Sequence, residues 1–469
     1  MSVADRKPVV GLLGLTLEFY ERGGPEIRED RERFVRERIL PALSGGADVR
    51  FDGARYSREG IEAAVAKMEA DGAEAILVIL LTYCTSLSVL PALKQTRLPI
   101  VVWNTQELFS VDESYGEAEL LANHGVHGTF DLCNVLIRSG IRFEYTTSHL
   151  DDEGATEALL TRLRAAAAVT GLRNMRLGLL GYPFPGMGDF GLDTTHLAAT
   201  LGCEWRALGV GDFNKRAATV EPADAGKLVA EYRREYEVAA GITEDELAAA
   251  ARAELALRSM LGERGLGAFS YQFLAFGEYE RTETVPFVGT SRLMAEGVGF
   301  GGEGDLIAAA YSALLNMACP PASFTEIFTI DFAGNSVLLS HMGEANIAMA
   351  PKGAKVRMVR REKPLVPVRA GQLALAAGYE PGPATLSALT LGPGARWRII
   401  ASPVTVLPFG PLEGLPVPHA KVRPGGDVRD FLTGYARAGG PHHMAISLGD
   451  AREALSLIAN FIDADYIEV

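Results

Sequence analysis

Glu303 stands in GVGFGGEGD (297–305), where five glycines and two carboxylates fall within nine residues. Glu326 and Asp331 follow in FTEIFTIDF, His341 in SHMGE, and the pair His442 and His443 much further along in AGGPHHMA. Eight histidines are few for 469 residues. If folding brings Glu303, Glu326, His341 and one of the paired histidines together, the set is two carboxylates and two imidazoles. That combination suits a divalent Mn, Fe, Co or Zn ion with positions left open to water or substrate. No local spacing rule of the H-E-x-x-H kind joins these residues, and a histidine taken alone is as readily a satisfied polar residue as a ligand.

The same glycines satisfy G-x-G-x-x-G over Gly297 to Gly302, a pattern that serves dinucleotides only where a strand leads in and a helix leads out. TSRLMAE (290–296) reads as helix. The expectation is therefore a sharp glycine turn between two helices, displaying Glu303 at the start of DLIAAAYSALLNMA, with no nucleotide involved. The plainer alternative is a solvated loop whose Glu303 and Asp305 merely favour the dipole of the following helix.

The elements that must position these groups are legible in outline. A chain of 469 residues exceeds the size at which single cores stop growing, so two or three domains are expected. PVVGLLGL (8–15), ADVRF (47–51), AEAILVILL (73–81) and LPIVVWN (98–104) are apolar runs separated by helical stretches, the pattern of a parallel sheet covered on both faces. MRLGLLG (175–181) begins a second such series. Beyond residue 320, AKVRMVRR, LVPVRAG, ATLSALTLG and RWRIIASPVTVLPF are short alternating strands with Gly and Pro between them, ending in one helix over 450–463. The fold class read from this is α/β: two doubly wound parallel-sheet domains (1–172 and 173–320, the second carrying Glu303) followed by a β-rich C-terminal domain (321–469) carrying Glu326, His341 and His443.

Composition narrows the partners. The hydrophobic fraction is 48%, the charged fraction 22% and the formal charge −14, which disfavours nucleic acid and anionic lipid and leaves a small neutral ligand or a metal. The four cysteines, Cys84, Cys133, Cys203 and Cys319, lack C-x-x-C spacing and read as reduced core residues. MSVADRKPVVGLLGL lacks the features of an export signal, and no apolar run reaches membrane-spanning length, so a cytoplasmic protein is expected.

Four segments, TVPFVGTSRLMAEGVGFGGEGD (284–305), SFTEIFTIDF (323–332), SHMGE (340–344) and AGGPHHMAIS (438–447), occur in the order of the signature segments of the L-arabinose isomerase family, and the chain resembles that family there. L-fucose isomerases are more distant relatives. The resemblance implies an aldose–ketose isomerase using Mn²⁺ or another divalent cation such as Co²⁺, assembled as a trimer, tetramer or hexamer with active sites near subunit interfaces. Carried over residue by residue, it implies metal ligation by Glu303, Glu326, His341 and His443, catalysis by Glu303 and Glu326, and a sugar substrate met by His442 and Met342. NTQ (104–106) and NHGVHG (123–128) resemble remnants of two further family motifs, with Gln106, Asn123 and His127 in comparable positions, and imply that His127 and Glu18 also meet the sugar. The family's G-S-Q-H-L-Y-G is replaced by GLTLEFYE (14–21), with Thr16 and Leu17 where its Gln and His align and Glu18 beside them. YPFPGMGDFGLD (182–193) is richer in Pro and Gly than the family's loop, with Met187 expected to meet the sugar. A different best sugar is therefore expected within an unchanged reaction class.

That reaction moves a proton between C1 and C2. A cation on adjacent sugar oxygens stabilises the enediolate, and two carboxylates alternate as base and acid. A metal-dependent sugar epimerase or aldolase uses the same stabilisation, and two doubly wound domains in series also build non-catalytic bilobed sugar-binding proteins.

Overall fold

The protein was analysed as a computed structural model that describes residues 6–278 and 282–469. Residues 1–5, part of the stretch read above for an export signal, lie outside the described residues. The chain divides into two compact units, residues 6–171 with 457–463, and residues 172–456 with 464–469.

In the first unit, β1 (Val9–Leu15), β2 (Asp48–Arg50), β3 (Ala75–Leu80), β4 (Ile100–Asn104) and β5 (Glu144–Thr147) form a wholly parallel sheet in the order β2-β1-β3-β4-β5. β3 is buried at every position, as required of a central strand with helices on both faces. Leu13, Leu15, Ile76 and Val78 from the strands pack with Ile61, Val65, Leu132 and Leu136 from helices Arg58–Ala70 and Val126–Arg138. Each such side chain contributes about 1.5–3 kcal/mol by leaving water.

The strands of the second unit are β6 (Arg176–Leu180), β7 (Glu204–Leu208), β8 (Glu237–Val238), β9 (Ala268–Tyr271), β10 (Gly299–Gly301), β11 (Ala322–Asp331), β12 (Ser336–Ser340), β13 (Arg357–Arg360), β14 (Leu373–Ala376), β15 (Gly382–Leu391), β16 (Trp397–Val406), β17 (His419–Pro424), β18 (His443–Leu448) and β19 (Asp465–Glu468). A parallel sheet runs β10-β9-β6-β7, and β13 joins β14 and β8 in a small mixed sheet. β15-β18-β11-β12-β17-β16 are antiparallel neighbours, and pairing of β15 with β16 closes them into a six-stranded barrel, to which β19 adds in parallel. Closure removes the free edges that an open sheet would expose. The expected class, α/β with two parallel sheets and a β-rich C-terminal part, is the observed one. Among the described residues no helix is long and apolar enough to cross a membrane.

Three local expectations are corrected. The chain does not pass from helix to helix through the glycines: β10 lies between helix Phe287–Ala295 and helix Leu306–Ala318. Its sequence, Gly-Phe-Gly, carries no β-branched signal, and its glycines serve close packing. A Cβ on Gly299 would meet the Ala309 carbonyl oxygen at 2.3 Å, and one on Gly301 the Asp305 carbonyl oxygen at 2.3 Å. The helix therefore lies directly on the strand, where Ser312 Oγ accepts Phe300 N–H at 2.7 Å and donates to the Phe300 carbonyl at 2.9 Å. LVPVRAG forms no strand; Pro364 and Pro367 deny it ladder donors, and the chain enters the sheet later, at β14. The C-terminal part holds a second helix, Val428–Arg437, whose Asp427 side chain accepts the Arg429 N–H at 2.7 Å.

Candidate active site

The barrel register brings distant residues side by side. Glu326 on β11 is paired on one side with His443, the first residue of β18, and on the other with Ser340, the last residue of β12, which His341 follows. Glu303 enters from the turn after β10, at the carboxyl end of a parallel strand, where α/β sheets place their ligands. Its φ of 60° is left-handed, a conformation that costs a non-glycine residue about 1 kcal/mol or more. Gly304 follows with φ 92°, and a Cβ there would lie 2.5 Å from Pro183 Cα. The glycines of this stretch thus turn the backbone tightly enough to hold Glu303 over the barrel mouth.

One ligand atom from each of Glu303, Glu326, His442 and His443 lies within 4.8 Å of the others. His443 Nε2 is 3.1 Å from Glu326 Oε1 and 3.5 Å from Glu303 Oε2. His442 Nε2 is 3.8 Å from Glu303 Oε2 and 4.0 Å from Glu326 Oε1. Among the described residues, the buried atoms Glu303 Oε2 and His443 Nε2 have no hydrogen-bond partner. Buried polar atoms left so cost about 1–3 kcal/mol each, and a carboxylate oxygen and an imidazole nitrogen that each turn a lone pair to one point fit a cation between them. The donor set of carboxylates and imidazoles is also right for a divalent transition metal.

The supporting contacts fix which ring nitrogen faces this point. His443 Nδ1 lies 2.9 Å from Asp305 Oδ2, while Asp305 Oδ1 accepts the Ala308 N–H at 2.9 Å and caps helix Leu306–Ala318. Such a carboxylate partner orients a ligating histidine. Burial pushes the His443 imidazole toward neutrality, but Asp305, Glu303 and Glu326 outweigh it and hold its pKa up at about 11. For Glu303 burial acts upward, and His442 and His443 pull the carboxyl down to about 2. His442 is raised, chiefly by the Glu303 carboxylate beside it.

His341 stands outside the four-residue group yet borders it. Its ring lies edge-on to Phe324 at 4.7 Å, as His443's does at 5.0 Å from another side, and its Nε2 is 2.9 Å from where a Gly302 Cβ would sit. Its Nδ1 meets Glu344 Oε2 at 2.6 Å, and Glu344 in turn accepts the Tyr271 hydroxyl. Burial pushes the His341 pKa down, and Glu344 and Glu326 raise it above the ordinary histidine value. Met342 and Met187 are half-buried; the Met342 carbonyl accepts Arg361, and the Met187 N–H bonds the Phe184 carbonyl at 3.3 Å.

The other sequence-derived residues belong to the first unit. Glu18 is exposed, and the neighbouring Tyr20 hydroxyl lies 2.7 Å from His124 Nε2. His127 stacks parallel on Tyr83 at 4.8 Å. Thr16 is buried, its hydroxyl without a partner, and Asn123 and Gln106 bond the backbone of Leu108.

Sequence reasoning did not assign Asp305, Asp189, Phe190 or Glu344 to the site. Asp305 carries a usable signal, an N-cap residue two positions after the glutamate, and Glu344 another, an acid three positions after His341. Asp189 and Phe190 sit in a Pro/Gly loop without periodicity, and nothing local marks them.

The profile of the L-arabinose isomerase central domain matches residues 193–319, and that of the L-arabinose isomerase C-terminal domain matches 321–465. The L-arabinose isomerase of Nocardioides sp. is 31% identical over 360 residues, 74% of this chain and 70% of that protein. That of Acidothermus cellulolyticus is 30% identical over 373 residues, covering 76% and 73%. On these matches, this chain belongs to the L-arabinose isomerase family.

Proposed function

We propose that the protein is a divalent-cation-dependent aldose–ketose isomerase, with Mn²⁺ as its ion and a pentose or hexose as its substrate. The observation that carries this reading is the meeting of Glu303, Glu326 and His443 around two unpartnered buried atoms in a chain of this family. Glu303, Glu326, His443 and His341 would hold the ion, His341 completing the set through the nitrogen that Glu344 leaves free. When bound, a divalent cation polarises the sugar carbonyl and stabilises negative charge that develops on adjacent oxygens.

The remaining work falls to the chain. Glu303 and Glu326 carry the proton between C2 and C1: one carboxylate removes it from C2, beside the carbonyl, and a carboxylic acid returns it to C1, while the hydroxyl proton of O2 passes to O1. Asp305 keeps the His443 ring in place, and its burial against Phe190 and Phe324 limits water around the enediolate. His442, Met342 and Met187 contact the sugar, a role that the family resemblance alone gives to His127 and Glu18. The profiles change over between residues 319 and 321, which supports a boundary at about 320, and the compact unit that begins at residue 172 supports one there. The exposed residues Phe328 and Ile330 continue along β11 from Glu326, with exposed Phe332 just past its end, and support a homo-oligomer with active sites near its interfaces. A cytoplasmic location without nucleic-acid or membrane partners completes the reading.

The test is kcat/KM across all pentoses and the common hexoses at saturating Mn²⁺, with products identified. Ketose formation is expected, and because Thr16, Leu17 and Glu18 replace the family's polar cluster, L-arabinose is expected not to lead the series. Epimers or cleavage products in place of ketose would refute the isomerase reading. A clear lead by L-arabinose would remove the N-terminal departures from specificity.

A further inference from the structure

The loop 182–193 straps the site from one side to the other. The Phe184 N–H bonds the Glu303 carbonyl at 2.8 Å, and Pro183 packs where a Gly304 side chain would be. At its far end Phe190, buried, stacks on the His443 ring at 5.2 Å with the planes 11° apart. Between them Asp189 Oδ2 accepts two hydrogen bonds from one residue, the His442 backbone N–H at 2.9 Å and His442 Nδ1 at 2.6 Å. His442 is the most open histidine of the group, with 40% of its side chain exposed against 1% for His443.

A ring nitrogen that donates to a carboxylate fixes the tautomer of the other nitrogen. With Nδ1 held on Asp189, the His442 ring turns Nε2 toward Glu303 and Glu326 and leaves it exposed. It differs in this from His443, whose Nε2 is enclosed and unpartnered.

Resting on the isomerase reading above, we propose that Asp189 is a substrate-positioning residue: it locks the place and ring orientation of His442 so that Nε2 hydrogen-bonds a sugar hydroxyl beside the two catalytic glutamates. Because the same strap bonds the Glu303 backbone, the hydroxyl contact and the catalytic carboxylate are held in one register. Asp189 acts on the sugar and leaves the metal ligands as they are.

The experiment compares the full-length wild type with Asp189→Ala and Asp189→Asn. Asp189→Ala should lower kcat/KM by about 10- to 100-fold, the worth of one charge-assisted hydrogen bond. Asp189→Asn, which keeps an oxygen acceptor, should recover most of that loss. Mn²⁺ affinity, read by calorimetry, should stay within about threefold, whereas support of a metal ligand is worth about 10- to 100-fold in affinity. In metal-free, ¹⁵N-histidine-labelled protein at alkaline pH, His442, assigned by its loss in His442→Gln, should carry its proton on Nδ1 in the wild type and on Nε2 in Asp189→Ala. A wild-type His442 protonated on Nε2, an Asp189→Ala enzyme with wild-type kcat/KM, or a loss of Mn²⁺ affinity as large as the loss of turnover would each overturn the proposal. A wild type that makes no ketose from any sugar while its His442 keeps the Nδ1 proton would refute the isomerase reading, and the substrate role with it, but not the Asp189–His442 pairing.

Discussion

Replacing Asp305 separates the metal from the scaffold. Its two carboxylate oxygens do different work, one capping helix Leu306–Ala318 and the other receiving His443, and both residues are almost fully buried. In Asp305→Ala the lost cap costs about 1 kcal/mol, and the orphaned His443 Nδ1–H costs about 1–3 kcal/mol more. In the metal-free protein the combined loss should appear as a lower thermal midpoint. With the ring no longer oriented, Mn²⁺ affinity should fall by about 10- to 100-fold. Asp305→Asn keeps a good capping residue, but one amide oxygen cannot serve both donors, since the amide nitrogen must face the other. It should therefore recover most of the stability and little of the metal affinity. The assays are thermal unfolding without metal and calorimetric Mn²⁺ titration of each variant. Mn²⁺ binding to Asp305→Ala within about threefold of wild type would refute the reasoning, because His443 would then need no orienting partner.

Glu303→Gln and Glu326→Gln should each lower kcat by at least ~10²-fold without unfolding the protein, the usual minimum effect of a positioned acid or base; near-wild-type turnover would remove that residue from the mechanism. In the metal-free protein His443 stays protonated up to a pKa of about 11 because Asp305, Glu303 and Glu326 outweigh its burial. An ion bound there must displace that proton. Mn²⁺ affinity should thus rise with pH, by up to about tenfold per unit through neutrality, with close to one proton released per ion in calorimetry repeated in buffers of different ionisation enthalpy; a pH-independent affinity would take His443 out of the ligand set.

How far the sequence discloses these groups follows from how each is positioned. The strands β1, β3 and β4 are legible because burial on both faces demands unbroken Val, Ile and Leu. β10 is illegible because its residues are chosen to let a helix approach, which selects glycine and erases the strand pattern. The types of Glu303, Glu326 and His443 can be read, but their meeting depends on barrel register, pairing β11 with β18 across more than a hundred residues, and no periodicity encodes that. The resemblance to the family supplies it where spacing does not. Asp189 is least legible of all: its role depends on the path of a loop that has neither a repeat nor a cap signal. His341 shows the limit in the other direction, since its segment is recognisable while its distance from the group is settled by side-chain packing against Phe324 and Glu344.

The most direct test of the central claim is isomerisation by protein stripped with chelator and then restored with Mn²⁺, with ¹³C NMR following the conversion of C1- and C2-labelled aldoses. The account predicts no ketose from the stripped protein, and ketose with exchange of the migrating proton once Mn²⁺ is returned, abolished again in Glu303→Gln. Undiminished turnover by stripped protein, or no ketose from any aldose after Mn²⁺ is restored, would contradict it.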